Sequence, residues 1–217
     1  MPLIVKTPMN VQVIAESGSY AQRLDVLNRK TTAVQRQLRR GGLASYEPPT
    51  QAALLALMQL APEGAAFFDV GAHIGLYSAL IDLIYASKGA KTFAFEPTPT
   101  TATIGRRMKR VNKLGFELVE LALSNAPGSA TLYVSAKAET SNSLNPDHRD
   151  HAGEFTVELS TVDLFTAARG VDPAVMKIDV ETNEPNVLAG SYETIRRARP
   201  AIVCEILRAT LDRKSVV

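Results

Sequence analysis

Phe67-Phe68-Asp69-Val70-Gly71-Ala72-His73-Ile74-Gly75-Leu76-Tyr77 decides how this chain is read. Its first half is apolar and ends in an acid, as a buried strand does at the edge of a sheet. Its second half opens a helix at Gly75, with a tight turn between. Gly71 and Gly75 carry no Cβ, so the backbone there can turn sharply and approach a bound molecule. The helix N-terminus offers free N–H groups beside the turn. A crevice at the carboxyl end of a parallel strand is where open α/β sheets take their ligands.

The nature of that ligand follows from a departure. A G-x-G-x-x-G loop brings backbone against a pyrophosphate. Here His73 occupies the middle glycine position, and Asp69 stands two residues before Gly71. An acid repels a pyrophosphate and suits a cation or an amino group. S-adenosylmethionine carries a sulfonium, an ammonium and a ribose, and no phosphate. The acid-x-Gly-x-x-x-Gly spacing therefore favours it over a nicotinamide dinucleotide. Lys91-Thr92-Phe93-Ala94-Phe95-Glu96-Pro97 reads as the next strand. Glu96 follows Gly75 by about twenty residues, the spacing of a ribose-binding acid. Its carboxylate can accept from both ribose hydroxyls.

With 217 residues and 46% hydrophobic content, the chain has the composition of an ordinary globular protein with a full core. A net charge of +2 argues for neither nucleic acid nor an anionic membrane surface. Cys204 is the sole cysteine, which excludes an internal disulfide and fits a reducing compartment. The first ten residues lack the pattern of a secretory signal, and no run reaches the length of a membrane helix. A cytoplasmic enzyme with no membrane or nucleic-acid partner is the expectation.

Residues 1–47 read as an N-terminal helical extension, and 48–217 as the ligand-binding domain. Tyr20, Leu24, Leu27, Thr31, Val34 and Leu38 recur at steps of four and three, an amphipathic helix stopped by Gly41-Gly42. It is expected to pack on its own domain or, as the alternative, to form a homodimer contact. Pro48-Pro49-Thr50 starts a second helix, and a third runs from Gly75 to about Ser87. Thr98 and Pro99 are placed as N-cap and first residue of the next. Phe116–Leu123 reads as a third strand. Ala130–Val134 and Phe155–Leu159 read as a hairpin or sheet edge, separated by a polar loop, Ser135–Gly153.

That loop holds His148 and His151, candidates for a general base or, with Asp147 or Asp150, for metal ligation. No cysteine or glutamate joins them at a recognised spacing, so no metal is assigned. Val175-Met176-Lys177-Ile178-Asp179-Val180-Glu181 is a buried strand ending in acids. Asp179 and Glu181 sit two apart and share a face if the strand continues that far. Lys177 has the same parity and is placed to pair with one of them. A last strand, Ala201–Ile206, contains Glu205. Strands alternating with helices predict an α/β fold: a doubly wound, mostly parallel sheet with an inserted β-hairpin.

Five pieces, in order, resemble the FkbM-family methyltransferases: Phe68-Asp69-Val70-Gly71-Ala72-His73-Ile74-Gly75, Phe95-Glu96-Pro97, Ala122-Leu123-Ser124-Asn125, Lys177-Ile178-Asp179-Val180-Glu181 with Glu184 and Gly190, and Pro200-Ala201-Ile202-Val203-Cys204-Glu205-Ile206. The resemblance spans about residues 66–207. It implies a Rossmann-like, S-adenosylmethionine-dependent methyltransferase that O-methylates a hydroxyl of a sugar, glycolipid or polyketide-type metabolite. Asp69, Gly71, His73, Gly75 and Glu96 are then expected to hold the cofactor, with Ala122, Leu123 and Ser124 facing its adenine. Asp179, Glu181 and His148 are the candidates for the catalytic base.

Three departures stand out. His73 occupies a position where the family usually has Asn. Thr182-Asn183 replaces a small pair. The chain also stops soon after Glu205, where members continue into a helix and a final antiparallel strand pair, so the sheet is expected to lack its last strands. Two rival readings follow: a catalytically degenerate methyltransferase scaffold that binds a partner, and a nicotinamide-dependent oxidoreductase.

Overall fold

The computed structural model describes residues 3–6, 12–15, 46–135, 142–147 and 150–206. The expected Tyr20–Leu38 helix, His148 and the tail beyond Ile206 lie outside the described residues. Two N-terminal strands, β1 (Leu3–Lys6) and β2 (Gln12–Ala15), pair antiparallel with each other. From Tyr46 onward the chain runs α1 (Pro48–Leu60), β3 (Ala66–Val70), α2 (Leu76–Tyr85) with a 3-10 turn at Ala86–Lys88, β4 (Lys91–Phe95) and α3 (Pro99–Val111). Then come β5 (Glu117–Val119), β6 (Ala122–Leu123), β7 (Gly128–Ser135), β8 (His151–Ser160), α4 (Val162–Arg169), β9 (Pro173–Ile178), α5 (Glu184–Ala189), α6 (Tyr192–Ala198) and β10 (Ala201–Cys204).

Five strands form one parallel sheet in the order β10-β9-β3-β4-β5. Strand order reverses between β3 and β9, the topological switch point at which such sheets open a crevice. This is the doubly wound α/β core expected. Two-residue alternation assigns its faces. Phe67 and Val175 pack with Leu54, Leu55 and Met58 of α1 and with Leu80 and Ile81 of α2. Phe68, Val70, Met176 and Ile178 pack with Phe165 of α4 and Val187 of α5 on the other face. There Phe165 sits 4.8 Å from Phe95 and 5.5 Å from Phe68, ring centroid to centroid, edge to face in both cases. Each fully buried ring contributes about 1.5–3 kcal/mol from removal of apolar surface.

Phe116–Leu123, expected as one strand, divides into two. Glu117–Val119 pairs with β4 in the main sheet, whereas Ala122–Leu123 leaves it to pair with β8. The inserted hairpin is present: β7 and β8 are antiparallel, with Ala130 opposite Val157. Together with β6 it forms a second sheet ordered β6-β8-β7. The fourth core strand ends at Ile178, short of Glu181. Asp179 and Glu181 therefore share a loop rather than a strand face. Among the described residues, no helix is long and apolar enough to cross a membrane.

Candidate functional site

The carboxyl ends of β3, β4 and β9 surround a partly open cleft. Its floor is the turn after β3. The N–H groups of Gly71 and Ala72 both donate to the carbonyl of Phe95, at 3.1 and 2.9 Å, which ties that turn to the end of β4. Gly71 has φ 78°, and a Cβ there would lie 1.8 Å from the carbonyl oxygen of Asp179. Only glycine allows the β3 and β9 loops to meet this closely. Gly75 stands at the start of α2, also left-handed. His73 adopts φ 53°, a conformation in which non-glycine residues are uncommon.

Glu96 and His73 face the cleft together. The two oxygens of Glu96 accept backbone N–H groups from His73 and Thr98, each at 2.9 Å. Burial pushes the Glu96 carboxyl up to about 7, against the opposing pull of those hydrogen bonds. Burial, helped by the Lys177 charge, pushes the His73 imidazole down to about 4, so the ring is neutral at physiological pH.

Asp69 lies beneath the cleft, not on its wall. It is wholly buried, and its Oδ2 accepts from Ser78 N at 3.1 Å and Ser78 Oγ at 2.7 Å, pinning the first turn of α2. Across the sheet its register partner is Lys177, whose Nζ stands 3.8 Å from Asp69 Oδ1 and 3.0 Å from Asp179 Oδ2. Nζ also donates to the Gly71 carbonyl at 3.3 Å and sits 5.2 Å from the centre of the Tyr77 ring. Burial alone would lower the Lys177 ammonium, but Asp179 and Asp69 more than offset it and hold it charged. Burial raises the Asp69 carboxyl, opposed by Lys177 and Ser78.

At the opposite rim, Asp179, Glu181 and Glu205 each bring a carboxylate oxygen within 4.8 Å of the other two. Burial works against ionisation of Asp179, yet Lys177 and a hydrogen bond with Glu205 hold its carboxyl below the usual range. Glu205 pays for that arrangement: its hydrogen bond to Asp179, then burial, push it up to about 8. Glu181 and the following Thr182 are both left-handed, at φ 52° and 83°. Backbone strain of this kind costs about 1–3 kcal/mol per residue and gathers at working sites. The Glu184 carboxylate braces the turn by accepting from Val180 N at 3.1 Å and Thr182 N at 3.2 Å.

The third wall comes from the segment after β5. Leu121, Ala122 and Leu123 line the cleft. Ser124 lies just behind it, its N–H donating to Ser160 O at 2.9 Å. Asn183 Nδ2 donates to Leu123 O at 3.3 Å. A Cβ on Gly190 would fall 2.0 Å from Ser124 O, so this glycine lets the α5–α6 junction press against the wall.

Of the residues singled out in the sequence, Gly71, His73, Glu96, Ala122, Leu123, Asp179 and Glu181 line one cleft. Asp69, Gly75 and Ser124 shape it from behind. His151 begins β8. Two tyrosines stand outside the set expected from the sequence. Tyr46 and Tyr77 line the same cleft with ring centroids 6.1 Å apart, and the Tyr77 hydroxyl donates to the Glu47 carboxylate. Burial, then Glu47, raises the phenol of Tyr46, and burial with the bond to Glu47 raises that of Tyr77. Tyr77 closes the opening stretch and was open to notice. Tyr46 sits outside any periodic pattern. Asn142 and Leu144 of the β7–β8 loop complete the lining.

Residues 69–214 match the methyltransferase FkbM domain. The chain is 27% identical over 216 residues to the hexuronic acid methyltransferase AglP of Haloferax volcanii, an alignment covering 98% of this chain and 79% of that protein. Among solved structures, a methyltransferase FkbM from Methylobacillus flagellatus KT overlaps 87% of this chain at 15% identity with a TM-score of 0.47. The chain spans 46% of the length of that structure.

Proposed function

The chain belongs to the FkbM methyltransferase family, and on that premise we propose that it is an S-adenosylmethionine-dependent O-methyltransferase acting on a hydroxyl of a sugar, glycolipid or polyketide-type metabolite. A sugar is the first candidate, because the relative AglP is a hexuronic acid methyltransferase. One observation carries the cofactor assignment. Glu96 presents a carboxylate to the cleft whose two oxygens each hold one backbone N–H and keep a lone pair for a ribose hydroxyl.

The donor set fits the same ligand. The apolar wall at Leu121–Leu123 suits an adenine. The described wall offers acids and tyrosine rings, and its Lys177 is already engaged by Asp179 and Asp69, a poor cradle for a pyrophosphate. When bound, S-adenosylmethionine supplies an electrophilic methyl group on a sulfonium.

The protein's own task is to hold the acceptor oxygen close and in line, which can lower a barrier by several kcal/mol. Gly71 allows the β3 and β9 loops to converge, so the Glu96 side and the Asp179 side face each other across one cleft. Tyr46 and Tyr77 line the cleft with aromatic surface, and the ring of Tyr77 already carries the Lys177 ammonium at 5.2 Å, which leaves Tyr46 as the ring offered to a bound cation. Asp179 and Glu181 lie on the rim where an acceptor enters, and the hydroxyl proton passes to this pair. Glu205 shares a proton with Asp179, so the two titrate as a unit. His148, the third candidate base, lies outside the described residues. The N-terminal segment, residues 1–47, is kept as the candidate for packing on its own domain or for a homodimer contact.

Calorimetric titration with S-adenosylhomocysteine tests the cofactor. Transfer of a labelled methyl group to a panel of uronic-acid and neutral glycosides tests the acceptor. Micromolar binding with transfer is the expected result. Binding without turnover across the panel points instead to a non-catalytic scaffold. A folded protein that binds neither S-adenosylmethionine nor S-adenosylhomocysteine overturns the reading.

A further inference from the structure

The polar loop between β7 and β8 is more than a connection. Ser143 pairs with Tyr133 through two backbone hydrogen bonds of 2.9 and 3.1 Å, which fastens the loop to the second sheet. From that anchor it reaches both sides of the cleft. Asn142 accepts from Ser135 N at 3.1 Å and donates to Thr98 Oγ1 at 3.3 Å, on the loop that carries Glu96. Ser143 Oγ donates to the carbonyl of Glu181 at 2.5 Å. Asn145 Nδ2 donates to Thr182 Oγ1 at 3.4 Å, and its own N–H donates back to Ser143 Oγ at 3.1 Å.

Three facts converge on Ser143. It is 2% exposed. Its hydroxyl holds the carbonyl of a residue in left-handed backbone, and the next residue, a β-branched threonine, is left-handed too. Its chain neighbours Asn142 and Leu144 put their side chains on the cleft wall. Consecutive left-handed residues without glycine persist only where their surroundings over-determine them. The surroundings here are Glu184 from below and Ser143 from above.

We propose that Asn142–Asn145 is a strap across the cleft and that Ser143 is its positioning residue, fixing the Glu181–Thr182 turn and so setting how long the bound nucleoside is retained. The inference rests on the cofactor reading above and adds to it a determinant of residence time. Ser143 itself does not line the cleft. It acts through the turn, whose Glu181 lines the cleft. Losing the hydroxyl loosens that turn, while the two backbone bonds to Tyr133 keep Asn142 and Leu144 against the wall.

The test is the release of S-adenosylhomocysteine, followed by stopped-flow tyrosine fluorescence, with Tyr46 and Tyr77 in the cleft as reporters. In Ser143→Ala, release should quicken about tenfold, the equivalent of one hydrogen bond, while the association rate changes much less. Asn145→Ala, which removes a more peripheral contact to the same turn, should give a smaller change in the same direction. Amide exchange at Thr182 should rise in Ser143→Ala without ligand, a readout that survives even if that variant is less stable overall. Wild-type release in both variants, or exchange at Thr182 unchanged, overturns the strap and leaves the cofactor reading standing. No binding to the wild-type chain overturns both.

Discussion

The two rims of the cleft use acids in opposite ways. Asp69 and Glu96, at the ends of β3 and β4, are buried and have accepted hydrogen bonds from their own chain: Ser78 for Asp69, and the N–H groups of His73 and Thr98 for Glu96. Asp179, Glu181 and Glu205, beyond β9 and β10, are half-buried or exposed and crowd one another within 4.8 Å. Glu96 is lifted by burial, Glu205 first by a neighbouring acid. A carboxyl lifted by burial has little solvent to trade protons with. One lifted by a neighbour at the surface does. The first rim is enclosed by its own chain, and the second is open to solvent, where the proposed proton transfer would need it to be.

The sharpest way to break that division is at Gly71, where the rims touch. Gly71→Ala places a Cβ 1.8 Å from Asp179 O at φ 78°. Backbone on both sides must give, and the loss should be about 4 kcal/mol, a fall in Tm of roughly 10 °C for a chain of this size. An unchanged Tm with intact S-adenosylhomocysteine binding would mean that the rims do not depend on this contact.

The next pair of variants separates the two acids of the first rim. Asp69→Asn leaves the buried Lys177 short of a charge and should cost about 3 kcal/mol of stability. Because Asp69 does not line the cleft, affinity for S-adenosylhomocysteine should change by less than about threefold at a temperature where the variant stays folded. Glu96→Gln should do the reverse in emphasis. Its affinity should fall roughly 10–100-fold, since a charged acceptor of hydroxyl bonds is worth about 1.5–3 kcal/mol. If Asp69→Asn proves the greater loss for binding, the acid beneath the cleft reaches the ligand after all.

These roles mark what the sequence could and could not carry. The strand, turn and helix around Gly71 were legible because a continuous apolar run ending in an acid and paired glycines are local signals. The place of Glu96 at the edge of the cleft was legible from its position at the end of a strand about twenty residues after Gly75. Asp69, by contrast, has the spacing and charge of a ligand contact in the sequence, where Ser78 and Lys177, which enclose it, leave no local mark. Those partners are nine and more than a hundred residues away, and cross-strand register brings Lys177 in. The division of Phe116–Leu123 between two sheets was likewise hidden, since an apolar run does not say which neighbour it pairs with. The Glu181 turn was unreadable for a further reason: left-handed backbone at a glutamate and a threonine contradicts their local preference, so only tertiary contacts impose it.

A smaller effect concerns the second rim and pH. The folded pKa of Glu205, about 8, lies above its ordinary 4.5. Such a group binds its proton more tightly folded than unfolded. Its contribution is fully present below about pH 4.5 and is lost as pH rises through 8. The facing charges are Asp179, Glu181 and Glu47, with Lys177 behind Asp179. Glu205→Gln keeps a hydrogen-bond donor for Asp179 without the titration. Its Tm should therefore gain a few degrees on the wild type between pH 6 and pH 8.5, about the scale of 1 kcal/mol or less in a chain of this length. Glu96 is present in both proteins and cancels from the difference. Parallel Tm curves across that window would show that Glu205 carries no shared proton.

His73→Asn should produce the least change of all, and for an informative reason. The observed contribution of residue 73 to the cleft is its backbone N–H, which donates to Glu96, and Asn is among the residues that best tolerate the left-handed conformation it needs. Stability near pH 7.5 should stay within about 0.5 kcal/mol and affinity for S-adenosylhomocysteine within about threefold. What should change is the acid side. The folded pKa of His73, about 4, lies below its ordinary 6.5, so its contribution is present above pH 6.5 and is lost as pH falls towards 4. Asn does not titrate, and the variant should lose less Tm than the wild type between pH 7 and pH 5. A large loss of affinity at pH 7.5 would instead place the imidazole itself on the ligand. It would then move His73 from the enclosed rim into direct recognition.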